Sequence, residues 1–378
     1  MQSRLKIFIA VLLSAFSFSV FAEQDHFAIY VDAGSSGSRL HIIQYHNSGS
    51  MPSVQDVISY NVTPGLSSFI KNPTDAGPSL EGMLYQAENY LNGKTDLSTV
   101  PVNVMGTAGM RLLTDQQQAN IYQSVTASVA KTDFGKGFIG TIEGKMEGLY
   151  GWLDVNYLEG NFQNHQPTVG SIDMGGGSTQ IAFVPDKNIK SDDLVTVNIN
   201  DQQYVVFSKS FLGLGQDAFR DSMMESASAS KCFPTHYVFA PSRVGAFNFA
   251  ECTPIYKEML ATRKIAQQIL PVKGQTFIAY SGIYYTWNFF NVDKTSDESA
   301  IVNAASTVCN NETWEQMQKA YPTVKPKYIM AYCSNAAYSD ELLYKTYGLQ
   351  GSQFKVLNQI GDTGIDWPLG AALYNLVK

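Results

Sequence analysis

Short apolar runs alternate along the chain with segments whose apolar residues recur at helical spacing. Three runs have the length of buried strands: residues 27–31, 102–105 and 277–280. Residues 143–158 instead carry an apolar helical stripe, formed by Met146, Tyr150, Leu153 and Tyr157. Strands that alternate with helices predict an α/β protein with mixed sheets. Towards the end, residues 328–332 predict a strand, and residues 340–347 and 371–377 predict helices.

Two of the apolar runs lead into loops of glycine and serine, each opening with an aspartate. The first loop reads Asp32-Ala33-Gly34-Ser35-Ser36-Gly37-Ser38, and the second reads Asp173-Met174-Gly175-Gly176-Gly177-Ser178. Glycines allow backbone N–H groups to point into one concavity, which binds anions. An aspartate oxygen suits a divalent cation or its water shell. Two such loops predict a duplicated fold that binds a polyphosphate between its halves.

Bulk composition narrows the class of protein. The chain has 378 residues, 44% of them hydrophobic and 12% aromatic, which is enough for two domains with large cores. Its formal net charge of −7 argues against a nucleic-acid-binding protein, which usually carries a basic face. An anionic small molecule stays compatible, because local loops and a metal ion can overcome a weakly acidic surface.

The first 22 residues have the pattern of a secretory signal peptide. Arg4 and Lys6 form a basic start, residues 7–21 are apolar, and Val20-Phe21-Ala22 has the small residues of a cleavage site. An N-terminal membrane anchor is the alternative, but the apolar stretch is short for a span. We therefore expect export to the periplasm or the medium, with no membrane attachment after cleavage.

The four cysteines all lie in the second half of the chain. An even number in an exported chain favours disulfides. Three pairings are possible, and we favour the sequential one, Cys232–Cys252 with Cys309–Cys333, because it closes two short loops. A zinc site is the alternative, although the chain has no CxxC pair and its five histidines do not cluster beside the cysteines.

A carboxylate between the two loops is the candidate catalytic base. Glu147 lies near the start of the predicted helix at residues 143–158, where the helix dipole favours an acid whatever its function. Gly144, Gly148 and Gly151 lower the stability of that helix but leave space around the acid. A carboxylate facing a phosphate site can orient or deprotonate an attacking water.

Five segments match the motifs of one protein family in order. They are residues 32–38, 106–111, 142–158, 172–181 and 366–370. The chain therefore resembles the nucleoside triphosphate diphosphohydrolases, or ecto-apyrases, over nearly all of its mature length. In its exported, anchor-free form it resembles the bacterial members, such as those of Legionella.

The resemblance implies two actin- or RNase H-like domains, the fold class of actin, sugar kinases and Hsp70, with the active site in the cleft between them. Residues 23–144 together with 361–378 would form domain I, which carries the first loop. Residues 145–360 would form domain II, which carries the second loop, the disulfides and the base-binding region.

The resemblance also implies roles for individual residues in catalysis. Glu147 matches the base that activates water, and Ser178 and Gln180 match residues that hold this water. Thr107 matches a polar residue near the terminal phosphate. Arg111 matches a basic residue of the second motif, for which a buried structural ion pair is an equal alternative.

Further matched residues are implied to bind phosphate, metal and base. The phosphate-binding residues are Ser35, Ser36, Gly37, Gly175, Gly176, Gly177 and Ser178. Asp32 and Asp173 match acids that hold a divalent cation, Mg²⁺ or Ca²⁺, through its waters, with Trp367 nearby. The base-binding regions contain Tyr284, Asn288 and Tyr332, where stacking binds any base without strong discrimination. Tyr285 and Trp287 belong to the same aromatic segment, and a core-facing segment is the equal alternative for them and for Tyr284.

Two departures from the family limit what the resemblance implies. Gly37 occupies a position that is histidine in many animal members, so a preference for tri- or diphosphates does not carry over. Gln216 stands where animal members carry arginine near the nucleotide, which weakens any transfer of base specificity.

The sequence thus predicts an exported, monomeric apyrase. It would hydrolyse nucleoside tri- and diphosphates to the monophosphate and phosphate, and would bind neither nucleic acid nor membrane. One alternative is an exopolyphosphatase-like hydrolase of the same fold, which gives no reason for the aromatic base platform. The other is a non-catalytic nucleotide-binding protein, against which the complete catalytic set argues.

Overall fold

The computed structural model describes residues 25–46, 51–186, 189–292, 297–350 and 353–378. The predicted signal peptide, residues 1–22, lies outside the described residues. Among the helices of these ranges, none is long and apolar enough to cross a membrane.

The strands are β1 (His26–Ala33), β2 (Ser38–His46), β3 (Ser53–Val62), β4 (Pro101–Gly106), β5 (Gly135–Thr141), β6 (Gly170–Met174), β7 (Ser178–Phe183), β8 (Leu194–Ile199), β9 (Gln202–Leu212), β10 (Val238–Ala240), β11 (Arg243–Val244), β12 (Phe277–Ser281), β13 (Phe354–Val356), β14 (Gln359–Ile360) and β15 (Thr363–Gly364). The α-helices are α1 (Ala76–Leu91), α2 (Ala108–Arg111), α3 (Asp115–Val129), α4 (Gly144–Leu158), α5 (Gln216–Met223), α6 (Phe249–Thr262), α7 (Gly282–Phe289), α8 (Glu298–Cys309), α9 (Trp314–Ala320), α10 (Pro326–Ser339) and α11 (Trp367–Val377).

Two large mixed sheets share one strand order. The first runs β3-β2-β1-β4-β5, and the second runs β8-β9-β7-β6-β12-β13, with β8 as an additional edge strand. In the first sheet β1 is antiparallel to β2 and parallel to β4, and in the second β6 is antiparallel to β7 and parallel to β12. The two glycine loops connect β1 to β2 and β6 to β7, so they occupy the same place in both sheets.

The central strand β1 is buried on both faces, which explains its continuous apolar run. Ile29 and Val31 face a core formed with α1 and α3, which includes Leu80 and Ile121. Ala28 and Tyr30 face the opposite core, to which α4, α11 and the second sheet also contribute. The two halves of the molecule therefore share one apolar layer.

Helices α4 and α11 pack against each other within this shared layer. Helix α4 lies on β6, β7 and β9 of the second sheet, and α11 lies on β1, β2 and β3 of the first. Each helix thus covers the sheet to which the predicted domain division assigns it. The boundaries at residues 144 and 361 stay a prediction.

Both predicted disulfides are present. Cys232–Cys252 joins a 3₁₀ turn to α6, and Cys309–Cys333 joins α8 to α10. The bridged cysteines are separated by 20 and 24 residues. By loop-closure entropy, loops of this length contribute about 3 kcal/mol each to the free energy of unfolding.

The structure corrects the sequence analysis at the end of the chain. Residues 328–332, predicted as a strand, lie within helix α10, which begins with Pro326 at a position that favours helix initiation. The predicted helix at residues 340–347 is a π-helical turn, Asp340–Thr346, which continues α10. Helix α11 begins at Trp367, four residues before the predicted start. In the helical geometry Tyr328 and Tyr332 share one face.

Candidate active site

The first glycine loop is held by the segment that follows β3. Gly65 lies so close that a Cβ atom there would be 2.3 Å from the carbonyl oxygen of Gly34 and 2.7 Å from that of Ser35. At Gly37, a Cβ atom would lie 2.8 Å from the carbonyl oxygen of Val62. Position 37 therefore has no room for a side chain, which gives a physical reason for the missing histidine.

The second loop is held by the first backbone amides of α5. The N–H of Gln216 donates to the carbonyl oxygen of Gly175 at 2.9 Å. Those of Asp217 and Ala218 donate to the carbonyl oxygen of Gly176 at 3.1 and 3.0 Å. These bonds fix the peptide planes of the loop and satisfy the free N–H groups of a helix start.

The two glycine loops approach each other closely. A Cβ atom at Gly176 would lie 2.9 Å from Ser35 Oγ, and one at Gly177 would lie 2.8 Å from Ala108 Cβ. A side chain at either glycine would push the loops apart. The structure thus brings the two predicted phosphate-binding loops together at one point.

Thr107 lies beside the first loop, at the start of α2. Its backbone N–H donates to the carbonyl oxygen of Ala33 at 3.2 Å, and its side-chain Oγ1 donates to the same oxygen at 3.5 Å. The residue is buried. It therefore borders the loop at which the resemblance expects a phosphate contact.

Glu147 lies at the centre of a polar cluster in the first turn of α4. Its Oε2 accepts hydrogen bonds from Arg111 Nη2 at 2.6 Å and from Gln180 Nε2 at 3.0 Å. Ser178 Oγ accepts from the same two groups, at 3.1 Å from Arg111 Nη2 and 2.8 Å from Gln180 Nε2. The three residues predicted from sequence are thus brought together, and Arg111 connects them.

The environment of Glu147 changes its acidity. Glu147 is only 8% exposed. Burial raises the pKa of its carboxyl, while the positive charge and hydrogen bond of Arg111 lower it, and the net shift is upward. A carboxyl with a raised pKa is a stronger base once it is ionised.

The glycines of α4 allow the helix to lie directly on polar side chains of the second sheet. A Cβ atom at Gly144 would lie 2.5 Å from Ser210 Oγ and 2.7 Å from Arg111 Nη1. At Gly148 it would lie 2.6 Å from Ser208 Oγ, and at Gly151 it would lie 2.2 Å from the Tyr280 hydroxyl. The close approach sets Glu147 within reach of Gln180.

Asp32 and Asp173, the first residues of the two loops, each carry an unsatisfied oxygen. Oδ1 of each is buried and has no hydrogen-bond partner within the described ranges. Burial raises the pKa of Asp173 to about 7 and that of Asp32 well above its usual range. Both carboxyls also interact with the charges of Glu147 and Asp366, so the four acids share one region. Unpaired buried carboxylate oxygens of this kind suit a hydrated divalent cation.

The arrangement of acidic side chains is compatible with a divalent cation that is bound through its water molecules. Among the residues that the structure describes, no group of three or more histidine, cysteine or acidic side chains is arranged to hold a metal ion. Asp32 and Asp173, without a complete set of protein ligands, therefore fit a cation that keeps its waters better than a full protein cage. Trp367 is buried and packs against Tyr150, with ring centroids 6.1 Å apart, directly after Asp366.

The predicted base-binding residues lie on α7 and α10. Tyr332 stacks on Phe289, with ring centroids 4.3 Å apart and planes inclined by 18°. Tyr284 is half-buried and meets Tyr285 edge to face, whereas Asn288 is exposed. Tyr332 keeps part of its surface exposed. The three residues therefore border one accessible aromatic surface.

Two further tyrosines, both exposed, lie beside this surface. Tyr285 and Tyr328 are 57% and 45% exposed, and both lie close enough to Tyr332 to contribute to the rise in its pKa, which burial dominates. Asp366 is the main cause of the raised pKa of Arg39, a residue of the first sheet, and Tyr285 adds a smaller contribution. The helical spacing of Tyr328 and Tyr332, had it been recognised, would have placed them on one face.

Three comparisons with known proteins bear on this site. A family model described as the GDA1/CD39 (nucleoside phosphatase) family matches residues 19–241 and 247–378. The chain belongs to the GDA1/CD39 nucleoside phosphatase family. Probable apyrase 5 of Arabidopsis thaliana is 28% identical over 93% of this chain and 82% of its own length. Ectonucleoside triphosphate diphosphohydrolase 1 of Bos taurus is 28% identical over 93% of this chain and 81% of its own length.

A solved structure of nucleoside triphosphate hydrolases from Neospora caninum has the same fold as this GDA1/CD39 protein. It superposes with a TM-score of 0.67 and 16% identity, covering 94% of this chain and 93% of that one. The predicted family, fold class and enzyme class are therefore confirmed, and with them the prediction of a nucleoside tri- and diphosphate hydrolase. The roles of individual residues stay predictions.

This phosphatase also contains a partly buried ionic network that was not predicted from the sequence. Asp366 Oδ2 lies 2.5 Å from Arg39 Nη1 and 3.4 Å from His41 Nε2, and His41 Nδ1 lies 2.7 Å from Asp56 Oδ2. The backbone N–H of Asp366 donates to Asp154 Oδ2 at 2.9 Å. The only signal in the sequence is that polar Arg39 and His41 alternate with apolar Leu40 and Ile42 along β2.

Proposed function

We propose that this nucleoside phosphatase is an apyrase that removes terminal phosphates from nucleoside tri- and diphosphates and stops at the monophosphate. The observation that carries the proposal is Glu147, held by Arg111 and Gln180 beside two glycine loops that approach each other closely. A phosphate bound between the loops would lie near a carboxylate of raised basicity. This is the arrangement that hydrolysis by an activated water requires.

Glu147 acts as the general base in this proposal. The ionised carboxylate accepts a proton from the attacking water, while Ser178 and Gln180 hydrogen-bond to that water and orient it. Arg111 keeps Glu147 ionised and fixes its direction through the 2.6 Å contact. Thr107 turns its hydroxyl from the Ala33 carbonyl, which lies 3.5 Å away, and donates to an oxygen of the terminal phosphate.

The backbone of the two loops binds the phosphates. Ser35, Ser36 and Gly37 supply the first set of contacts, and the second set comes from the loop at Gly175, Gly176, Gly177 and Ser178. Because both loops are fixed by neighbouring backbone groups, their N–H groups are oriented before the substrate binds. Such preorganised donors stabilise charge that develops in the transition state.

Asp32 and Asp173 hold a divalent cation, Mg²⁺ or Ca²⁺, through its waters. The support is the buried, unpartnered Oδ1 atom that each carboxyl has among the described residues. When bound, the cation would neutralise charge on the phosphate oxygens. Trp367, adjacent to Asp366, packs behind this region.

The nucleobase binds to the aromatic surface on α7 and α10. Tyr332 and Tyr284 offer ring surfaces, Asn288 offers an amide, and exposed Tyr285 and Tyr328 extend the platform. Stacking on such rings tolerates any base. This surface distinguishes a nucleotide hydrolase from an exopolyphosphatase-like enzyme, which has no base to bind.

We also infer that the protein is an exported monomer of the bacterial type, acting in the periplasm or the medium. The supports are the basic and apolar start of the sequence and the two disulfides. Mass spectrometry of the protein from the culture medium and the periplasm tests this inference. A mature N-terminus at Glu23 and two intact disulfides are expected.

Phosphate release from four substrates tests the function itself. We expect release from ATP and ADP, none from AMP, little from tripolyphosphate, and complete loss with EDTA. Faster release from tripolyphosphate than from ADP would favour the exopolyphosphatase-like alternative. Nucleotide binding with no phosphate release under any divalent cation would support a non-catalytic protein instead.

A further inference from the structure

The segment of residues 213–218 joins β9 to the first turn of α5 and holds the second glycine loop. Besides the three bonds from α5, the N–H of Gly213 donates to the carbonyl oxygen of Gly177 at 2.8 Å. The carbonyls of all three loop glycines, residues 175–177, thus accept from this segment. A Cβ atom at Gly215 would lie 2.4 Å from the carbonyl oxygen of Gly176, so the two backbones are in direct contact. The position of the loop therefore depends on the position of the segment.

Two side chains of α10 fix this segment in turn. The Tyr338 hydroxyl donates to the carbonyl oxygen of Leu214 at 2.5 Å, and Asn335 Nδ2 donates to Gln216 Oε1 at 2.9 Å. Only 1% of Tyr338 and 3% of Asn335 is exposed. A hydrogen bond is electrostatically stronger in such a dry environment than in water. Helix α10 thus holds the segment at two points.

The Leu214 carbonyl does not need Tyr338 to satisfy its hydrogen bonding. Thr179 Oγ1, from β7, donates to the same oxygen at 2.7 Å. Thr179 belongs to the sheet that carries the loop, whereas Tyr338 belongs to a helix that packs outside it. The tyrosine hydroxyl therefore adds a connection between the loop and α10 rather than a missing partner.

Helix α10 is suited to hold the loop because its second half is fixed in the core. Residues 333–339 are all buried, and the Cys309–Cys333 disulfide joins the helix to α8. The same helix carries Tyr332 of the base-binding surface, three residues before Asn335. A rigid, close-packed helix keeps such side chains at a constant distance from each other.

The second helix of the base-binding surface also meets this segment. A Cβ atom at Gly282, the first residue of α7, would lie 2.7 Å from Gln216 Oε1. The Gln216 amide is therefore confined between α7 and α10, while its backbone N–H holds Gly175. The segment thus connects both base-binding helices to the phosphate loop.

We propose that Asn335 and Tyr338 are positioning residues for the second phosphate-binding loop. Acting through Gln216 and Leu214, they fix the loop at a set distance from the base-binding surface. A nucleotide held by its base then presents its phosphates to N–H groups that are already oriented, which is how preorganised donors lower a barrier. The inference rests on the proposed function, in which this loop binds phosphate.

Two substitutions remove the connections one at a time. Tyr338→Phe removes the hydroxyl, keeps the ring packed on Phe219 at a centroid distance of 4.7 Å, and leaves Thr179 bonded to the Leu214 carbonyl. Asn335→Leu removes the amide with a side chain of similar size. We expect each to lower kcat for ADP roughly 10-fold and to change KM less than about twofold, because a displaced loop loses contacts to the transition state more than to the bound substrate.

Tyr256→Phe is the matched control. Tyr256 is buried like Tyr338, and the centroids of the two rings lie 5.3 Å apart. Its hydroxyl bonds to Ser334 of α10 and not to residues 213–218. We expect Tyr256→Phe to lower the melting temperature as Tyr338→Phe does, with kcat close to that of the wild type. The pair separates the loss of one buried hydroxyl from the loss of support for the loop.

Hydrogen exchange gives a readout that does not depend on activity. The N–H groups of Gly213 and Gln216 hold the loop carbonyls, so their exchange rates report on these bonds directly. In Tyr338→Phe and Asn335→Leu we expect peptides that cover residues 213–218 to exchange roughly 3- to 10-fold faster, the factor for the loss of one hydrogen bond. Peptides that cover the first loop, residues 32–38, should exchange as in the wild type.

The outcomes distinguish this inference from the function on which it rests. A wild type that releases no phosphate from ATP or ADP would overturn the proposed function. An active wild type whose two variants keep either kcat or the exchange rates unaltered would overturn the positioning role alone. An equal fall of kcat in Tyr256→Phe would do the same, because it would trace the loss to a loosened core. If Tyr338→Phe fails to fold, Asn335→Leu decides the question by the same two measurements.

Discussion

The two halves of the molecule carry the same strand-loop-strand unit with different residues at matching positions. The registers align the eight residues from Asp32 without a gap to the eight from Asp173. Arg39 lies opposite Asp32, and Gln180 lies opposite Asp173. Residues opposite each other in a ladder point to the same face. One half thus sets a cation, and the other a neutral amide, beside its loop aspartate.

Each of these residues contacts an acid at the start of a helix in the shared layer. Arg39 pairs with Asp366, which directly precedes α11, and Gln180 donates to Glu147 in the first turn of α4. The pKa values of the two acids shift in opposite directions. Burial by itself would raise the pKa of Asp366, but Arg39 and His41 hold it well below its usual range.

The difference shows which acid is suited to catalysis. Burial raises the pKa of Glu147, and Arg111 only partly opposes it, whereas two cations stabilise the ionised form of Asp366. An acid with a lowered pKa is a poor proton acceptor, so Asp366 serves structure. Two acids whose environments separate their pKa values commonly divide catalytic and supporting roles.

The largest expected effect comes from exchanging each acid for its amide. Glu147→Gln should lower kcat by roughly 100-fold or more, because the amide cannot accept the proton of the attacking water. Nucleotide binding should persist, since the amide keeps the shape of the side chain. Phosphate release and nucleotide binding by calorimetry check the two expectations.

Asp366→Asn is the matched control for this pair. It should lower the melting temperature through the loss of charge beside Arg39 and His41, and reduce kcat far less than Glu147→Gln does. Near-normal hydrolysis by freshly purified Glu147→Gln would contradict the assignment of the base. A larger kcat loss in Asp366→Asn would reverse the comparison.

The second prediction concerns the stability of the first half. Burial by itself would lower the pKa of His41, but the nearby carboxyls of Asp366 and Asp56 raise it to about 10. His41→Gln leaves these carboxyls without their buried cation and should lower the free energy of unfolding by about 3–5 kcal/mol near pH 6. Urea denaturation measures this difference.

The sign of the pH dependence follows from the raised pKa. The contribution of charged His41 is fully present below its unfolded pKa of about 6.5 and is lost as the pH rises through about 10. The stability gap between wild type and His41→Gln should therefore shrink between pH 7 and 10. A gap that stays constant over this range would mean that His41 acts by packing rather than by charge.

The third prediction tests whether Arg111 keeps the carboxyl group of Glu147 ionised. Arg111→Gln removes a charged hydrogen bond to Glu147, a contact worth about 1.5–3 kcal/mol, so kcat/KM should fall roughly 10- to 100-fold at neutral pH. Because Arg111 lowers the pKa of Glu147, its loss should shift the acid limb of the pH–rate profile to higher pH.

Lys209→Gln is the control for a lost positive charge near the site. Lys209 pairs with Asp193 and lines the same cavity of about 260 Å³ as Arg111, but it does not contact Glu147. We expect the acid limb of the pH–rate profile of Lys209→Gln to coincide with that of the wild type. An unshifted limb in Arg111→Gln would assign the arginine a purely structural role.

What the sequence could predict was mostly local. The loops, the helix of Glu147 and the pairing of nearby cysteines depend on short segments whose residue types limit the possible conformations. The Arg39–Asp366 pair joins positions 327 residues apart, so no local pattern indicates it. Ser281, the last residue of β12, has a positive φ of 57°, and this conformation also has no local signal in the sequence. The aromatic run at residues 328–332 fits a strand or a buried helix equally well, and only tertiary packing decides between them.

The smallest expected effect concerns the one position at which the two glycine loops differ in the space for a side chain. Gly37 and Ser178 occupy the same register position, yet only the second half has room for a side chain there. Gly37→Ala would set a Cβ atom 2.8 Å from the backbone oxygen of Val62, so the loop must shift. Such overpacking costs about 1–3 kcal/mol and should appear as a higher KM for ADP and a lower melting temperature.

Gly37→His tests whether the missing histidine contact can be restored at this position. We expect it to bind ADP no better than Gly37→Ala, because the Val62 carbonyl, and not the lack of an imidazole, limits the site. Gly82→Ala is the control: a Cβ atom there meets nothing within 4 Å on α1, so stability should rise by up to about 1 kcal/mol with KM unchanged. A lower KM for ADP in Gly37→His than in the wild type would show that the first loop can yield, and that the asymmetry of the halves is a matter of residue choice rather than of backbone packing.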